Sequence, residues 1–180
     1  MLLLGGSAHR TGEKNCGQTY ERLLQAASQY FPSAKEVARW SAQDCMPHDG
    51  IPFIGKYSIF TPNLYVATGF QKWGMTSSMI AAMILRDELC GVTSPYEKLF
   101  SPQRLFLRAG IGNFCMDVGM SVKGLLSGLF HTTPARCTHM GCGLVWNPNE
   151  KSYDCPCHGS RFDADGQLLD NPAKKDRSKT

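Results

Sequence analysis

The chain has 180 residues, enough for one large domain or two small ones, and its 42% hydrophobic and 19% charged content fits a soluble globular protein. The formal charge of +4 collects at the end, where NPAKKDRSKT (171–180) carries four basic groups and one acid. That placement reads as a solvated tail and argues against a nucleic-acid patch, because no basic stripe interleaved with aromatics occurs elsewhere. Nor is there a run of roughly eighteen apolar residues to span a membrane.

Residues 2–4 are expected to form a buried strand that runs into a glycine turn at Gly5 and Gly6. These leucines do not make a signal-peptide core, and no basic segment precedes them, so a cytoplasmic location is expected. In that compartment eight cysteines read as metal ligands or redox groups rather than as a disulfide scaffold. From Thr19 to Phe31, Tyr20, Leu23, Leu24, Ala27, Tyr30 and Phe31 recur at helical spacing until Pro32 ends the run. EVARWS (36–41) suits a strand, and the proline-rich stretch from Asp44 to Asn63 suits loops with short extended pieces. LYVAT (64–68) is a buried-strand candidate. Met75 to Leu89 reads as a helix, with Thr76 or Ser77 as its cap, Gly91 at its end, and Met75, Met79 and Met83 as a core stripe. The glycine-punctuated segment 105–130 is expected to be helical around Val122 to Phe130. Cys16, Cys45, Cys90 and Cys115 have no partner at metal spacing, and His9, His48 and His131 are isolated.

The chemistry concentrates in two boxes, CTHMGC (137–142) and CPCHGS (155–160). LVW (144–146) and KSYD (151–154) can pair as a hairpin around NPNE, which would bring the boxes side by side. Soft thiolates with imidazoles select zinc or an iron–sulfur cluster. Cys155 and Cys157 have one residue between them, closer than the pairs of ordinary structural zinc sites.

C-T-H-x-G-C followed by C-P-C-H-G-S resembles the signature of the Rieske two-iron, two-sulfur proteins. The resemblance implies that Cys137 and Cys155 bind one iron and His139 and His158 the other. It also implies a disulfide between Cys142 and Cys157 and a cluster hydrogen bond from Ser160. Gly141, Gly143 and Gly159 would let backbone amides approach the sulfides. Where relatives of highest potential carry a tyrosine, this chain has Phe162, so a lower potential is expected. Only GLFHTTPAR lies between the glycine-rich segment and Cys137, so the base sheet is expected to be shortened.

DGIPFIG (49–55) and NLYVATGFQKWGMTSS (63–78) resemble the C-terminal part of FAD-dependent amine and amino-acid oxidases of the D-amino-acid oxidase and glycine oxidase type. GGSAHRTG and RWSAQDCMPHDG fit the same family, which includes members with a C-terminal Rieske domain. The resemblance implies that Gly69 and Trp73 pass beside the flavin ring and that the amides of Gly74, Met75 and Thr76 face its N1–C2 edge, where a helix dipole favours the anionic reduced form. No G-x-G-x-x-G is present for the pyrophosphate, so FAD is expected only in a longer protein.

The expected architecture is therefore an α+β N-terminal part (1–104), a linker or helical segment (105–130) and a small all-β Rieske-type domain (131–180). The expected function is electron transfer through a 2Fe-2S cluster within a flavin-dependent oxidoreductase acting on a small amine or amino-acid-like substrate. Its partners would be a flavin domain as electron donor and an unidentified acceptor. No side chain here is assigned as a catalytic acid or base. The alternatives are a non-catalytic iron–sulfur fragment and a zinc-stabilised interaction module.

Overall fold

The computed structural model describes residues 1–13, 17–105, 107–130 and 135–178, without the side chains of 17 and 107–109; Cys16 and His131 lie outside the described residues. The elements in chain order are α1 (Gly17–Tyr30), β1 (Phe53–Ser58), β2 (Thr61–Thr68), α2 (Gly74–Leu89), α3 (Glu97–Phe100), α4 (Leu107–Leu129), β3 (Val145–Asn147), β4 (Ser152–Asp154), β5 (Arg161–Asp163) and β6 (Leu168–Asp170). They group into two compact units: Ala42–Met116, and Met1–Ser41 together with Asp117–Thr180. This is an α+β N-terminal region followed by a small antiparallel sheet.

In the unit 42–116, β1 and β2 form an antiparallel hairpin with Phe53 opposite Thr68 and Lys56 opposite Tyr65. Ile54 from β1 packs with Ala81 and Ile84 from α2, and Phe70, Leu85 and Phe100 close the cluster. Gly55 has φ +128°, a backbone conformation that favours glycine, and the Glu88 carboxylate from α2 lies over it. Glu88 has its carboxyl raised by burial and by the neighbouring Glu97.

Arg104 fastens this unit. Its guanidinium grips both oxygens of Asp49 at 2.9 Å, donates to the carbonyls of Pro52, Ile51, Phe100 and Ser101, and lies 4.0 Å over the Phe53 ring. The hydrogen bond from Arg104 holds the Asp49 carboxyl below its ordinary value of 3.8. This stabilisation is fully present above that ordinary value and is lost as pH falls through the lower folded value. Asp49→Asn keeps one acceptor but loses the charge. We expect it to cost about 1–3 kcal/mol, read as a lower melting temperature that converges with the parent in acid.

Several local expectations are corrected. Residues 2–4 and 36–41 are not strands, because among the described residues no neighbouring strand offers them a ladder; Leu3 and Val37 are exposed. LYVAT does lie within β2, but β2 is largely exposed rather than buried. α2 starts after Trp73 with no side-chain cap; the Thr76 hydroxyl turns back to the Trp73 carbonyl at 3.2 Å. Met75, Met79 and Met83 are exposed, and the buried stripe of α2 is Ser77, Ala81 and Ile84 instead. The helix expected around 122–130 is the end of one continuous helix, α4, that begins at Leu107. Among the described residues no helix is long and apolar enough to cross a membrane.

In the other unit β3, β4, β5 and β6 form a four-stranded antiparallel meander. The expected hairpin is present, with Val145 opposite Asp154 and Asn147 opposite Ser152. Asn147 Oδ1 accepts the amides of Asn149 and Glu150, and Lys151 takes a left-handed φ of +52° to complete the turn. The core is Ala135, Leu144, Phe162 and Ala173 with four cysteines, Cys137, Cys142, Cys155 and Cys157. A core that is half sulfur links folding to what the sulfurs bind.

Candidate metal centre

The two boxes fold as copies of one loop. Cys137 N–H donates to the Cys142 carbonyl at 2.8 Å and Gly141 N–H to the Cys137 carbonyl at 2.9 Å. Cys155 N–H donates to the Ser160 carbonyl at 2.8 Å and Gly159 N–H to the Cys155 carbonyl at 3.0 Å. Each loop turns at a glycine in the left-handed region, Gly141 at φ +79° and Gly159 at +86°. β3 and β4 connect the loops, so the short sheet sets them side by side.

The loops bring together all four residues expected as ligands. Cys137 and Cys155 are buried with their sulfurs hydrogen-bonded to each other, while the exposed imidazoles of His139 and His158 stand 5.0 Å apart at 82°. His139 N–H points at Cys137 Sγ at 3.5 Å, and the amides of His158 and Cys157 point at Cys155 Sγ. Amides aimed at a sulfur stabilise negative charge on it. The Cys137 thiol is pushed up because it donates to Cys155, and that same hydrogen bond holds Cys155 down. His158 is pulled down by desolvation and by His139, which favours the neutral imidazole a metal requires.

Ser160 is fully buried; its Oγ accepts the Ala173 amide at 2.9 Å and its hydroxyl faces Cys137 Sγ. Phe162 is also fully buried and presents no donor. Cys142 and Cys157 form a second sulfur pair, and burial together with the hydrogen bond to Cys142 pushes the Cys157 thiol up to about 12. The sulfurs of Cys142, Cys155 and Cys157 lie within 4.8 Å of one another. That trithiol group includes neither histidine.

The remaining candidates stay apart. Cys45, Cys90 and Cys115 are exposed and separate, His9 sits 3.3 Å from the Ser7 carbonyl, and His48 packs edge-on to Phe114. Asp49 serves Arg104, and Arg39 pairs with Glu36. In the unit 42–116, Gly69 has φ +76° and packs on Pro47, while Trp73 and Met75 are exposed at the start of α2. The first-turn amides of Gly74, Met75 and Thr76 have no intrahelical acceptor. This is one open edge with the anion preference of a helix N-terminus, not an enclosing flavin pocket.

Three features around the boxes have little or no signature in the sequence. Arg161 is buried among Glu150, Asp154 and Asp170. Gly12 touches the second loop so closely that a Cβ there would lie 2.7 Å from the Pro156 backbone. Gly124 and Gly128 of α4 lie against both loops. Only the last left a trace, as two small residues one turn apart in KGLLSGLF.

Two soft thiols with two imidazoles on paired loops are the kind of donors that suit a histidine-ligated iron–sulfur cluster, the electron-transfer class. The Rieske [2Fe-2S] domain model matches residues 113–179, and the FAD dependent oxidoreductase model matches residues 1–88. The chain thus carries a fragment of the FAD-dependent oxidoreductase family followed by a Rieske [2Fe-2S] domain. The Rieske 2Fe-2S iron-sulfur protein YhfW of Bacillus subtilis is 36% identical over 211 aligned residues, covering 97% of this chain and 42% of the relative. The alignment is longer than the chain, so this chain has gaps against it. The cytochrome b6-f complex iron-sulfur subunit 2 of Trichormus variabilis is 51% identical over 39 residues, 22% of each chain. Among solved structures, the plasma membrane Rieske protein PetC3 of Synechocystis PCC 6803 is 39% identical, covering 26% of this chain and 46% of that one at a TM-score of 0.25. The chain spans less than half the length of the Bacillus relative.

Proposed function

We propose that Cys137 and Cys155 hold one iron of a Rieske 2Fe-2S cluster and His139 and His158 the other, with Cys142 and Cys157 joined as a disulfide between the loops. The observation that carries this reading is the pair of matching loops that set two buried thiols against two exposed imidazoles. When bound, the cluster supplies one-electron chemistry at a potential raised by its imidazole ligands. The chain's own residues exclude water from the sulfur side, aim amides and the Ser160 hydroxyl at the ligand sulfurs, and leave the imidazole edges open to a redox partner. With Phe162 unable to donate, the potential lies below that of relatives with a tyrosine there.

The same reading places this chain in a cytoplasmic flavin-dependent oxidoreductase of a small amine or amino-acid-like substrate. Gly69, Trp73, Gly74, Met75 and Thr76 supply one edge of the flavin site, and the rest of that site lies in a longer protein. The matched oxidoreductase segment and the open start of α2 support it. The flavin-family part is 1–104, the connecting segment 105–130 and the cluster domain 131–180.

The trithiol group favours a second reading, a zinc-stabilised module. Anaerobic reconstitution with iron, sulfide and zinc in competition separates the two. The expected result is two irons per chain and a reduced paramagnetic signal with average g below that of four-cysteine clusters. Stoichiometric zinc without iron would establish the zinc module and remove the Rieske assignment. Because the core is half sulfur, iron loading is also expected to raise the melting temperature.

A further inference from the structure

We propose that α4 is the platform on which the cluster loops stand, and that Gly124 and Gly128 are its positioning residues. This rests on the reading of the boxes as a Rieske site. Both glycines are buried on a helix whose neighbouring residues Val122, Leu125, Leu126 and Leu129 are exposed. They are one turn apart and therefore on one stripe. A Cβ on Gly124 would lie 2.4 Å from Cys157 Sγ and 3.6 Å from Cys142 Cβ. A Cβ on Gly128 would lie 2.0 Å from the Gly141 carbonyl oxygen and 3.0 Å from Gly143 N.

The contact is also hydrogen-bonded. Gly143 N–H, just past the first loop, donates to the Gly124 carbonyl at 2.9 Å, and Cys157 Sγ in the second loop, as a free thiol, donates to the Ser121 carbonyl at 3.8 Å; joined to Cys142, that sulfur would keep the packing but not the hydrogen bond. One turn of helix thus touches both loops, and it meets the first through backbone atoms that only glycine lets come so near. The shortened sheet joins the loops at one side; α4 supplies a second support on the side of the Cys142–Cys157 pair. Gly112 and Gly119 of the same helix have nothing within 4 Å of a built Cβ, so they are internal controls.

Ordinarily Gly→Ala in a helix interior stabilises the helix. The test compares Gly119→Ala, Gly124→Ala and Gly128→Ala in this chain after anaerobic reconstitution. Gly119→Ala should match the parent in iron content, g values and potential. Gly124→Ala and Gly128→Ala should lose most of the iron, shift the g values of what remains, and make Cys142 and Cys157 more reactive to a thiol reagent in the metal-free, reduced protein. If both matched Gly119→Ala in all these readouts, the platform would be refuted. If the parent itself took no iron, the Rieske assignment would fall, while thiol reactivity in the metal-free chains would still decide the platform. Should Gly124→Ala misfold, adding Cys157→Ala removes the sulfur it collides with. The double variant should then melt no lower than Cys157→Ala alone, and a lower melting temperature would overturn the contact.

Discussion

Cys137→Ser and Cys155→Ser chains, reconstituted anaerobically, are expected to hold no Rieske cluster, while His158→Cys holds a cluster of lower potential. The two cysteines are 3% and 1% exposed and their sulfurs are adjacent, so on the proposed assignment each is an inward ligand without a substitute at its own position. Serine keeps the volume but replaces a soft thiolate with a harder hydroxyl. The histidines act differently, because they are exposed and their loss leaves the sulfur side intact. If His158 is a ligand as proposed, cysteine there replaces a neutral ligand with an anionic one. The added charge opposes uptake of an electron, and the shift runs toward the range of four-cysteine clusters, on the order of a hundred millivolts or more. A redox titration followed by paramagnetic resonance measures it. An unchanged potential in His158→Cys would remove that residue from the ligand set. On the proposed assignment, in which the Cys142 sulfur pairs with Cys157 and is not a ligand, Cys142→Ser should keep the original g values in whatever cluster it assembles.

What could be read in the sequence was short in range. The boxes carry their proposed ligands, turn glycines and hairpin within twenty-four residues, from 137 to 160, and the loops needed no distant partner to be inferred. The helix over 74–89 was legible because Gly91, at φ +69°, marks its end in the chain itself. What failed depended on distant neighbours. Residues 2–4 and 36–41 have strand-like composition but, among the described residues, no strand beside them to complete a ladder. The methionines of α2 fit a helical stripe, yet the smaller Ser77 and Ala81 with Ile84 are what the hairpin can accommodate. α4 was obscured because its glycines read as interruptions, whereas at Gly124 and Gly128 the missing side chain is the contact. The Arg161 network has no local signature at all, since a charged residue beside Ser160 normally signals surface.

That network carries the second large expectation: Arg161→Ala destabilises the chain by about 3–5 kcal/mol, a large part of the roughly 5–15 kcal/mol typical of a domain. Arg161 Nε and Nη2 reach Asp154 Oδ1, Glu150 Oε2 and Ser152 Oγ at 3.3, 3.3 and 3.2 Å, and Nη1 reaches Asp170 at 3.3 Å. Asp154, 4% exposed, also accepts from Ser152 at 2.7 Å and Asn147 at 3.0 Å. Three carboxylates thus converge on one guanidinium, and β4, β5 and β6 meet at it because Arg161 lies opposite Asp154 and Asp170. Removing it leaves like charges facing each other without compensation, so the sheet that sets the two loops side by side opens. Lysine keeps the charge but reaches one carboxylate at a time, so Arg161→Lys should fall between the parent and alanine. Tyr20 gives an independent reading of the same network. Its hydroxyl donates to Glu150 and contacts Ser41 Oγ, and burial first, then Glu150, raises it to about 12 from its ordinary 10.0. This contribution is complete below pH 10 and disappears as pH rises through about 12. Tyr20→Phe should therefore flatten the alkaline fall in melting temperature, whereas Arg161→Ala lowers the melting temperature at neutral pH. A neutral-pH melting temperature for Arg161→Ala equal to the parent's would show that the buried charges relax onto water and that the loops are held by other contacts.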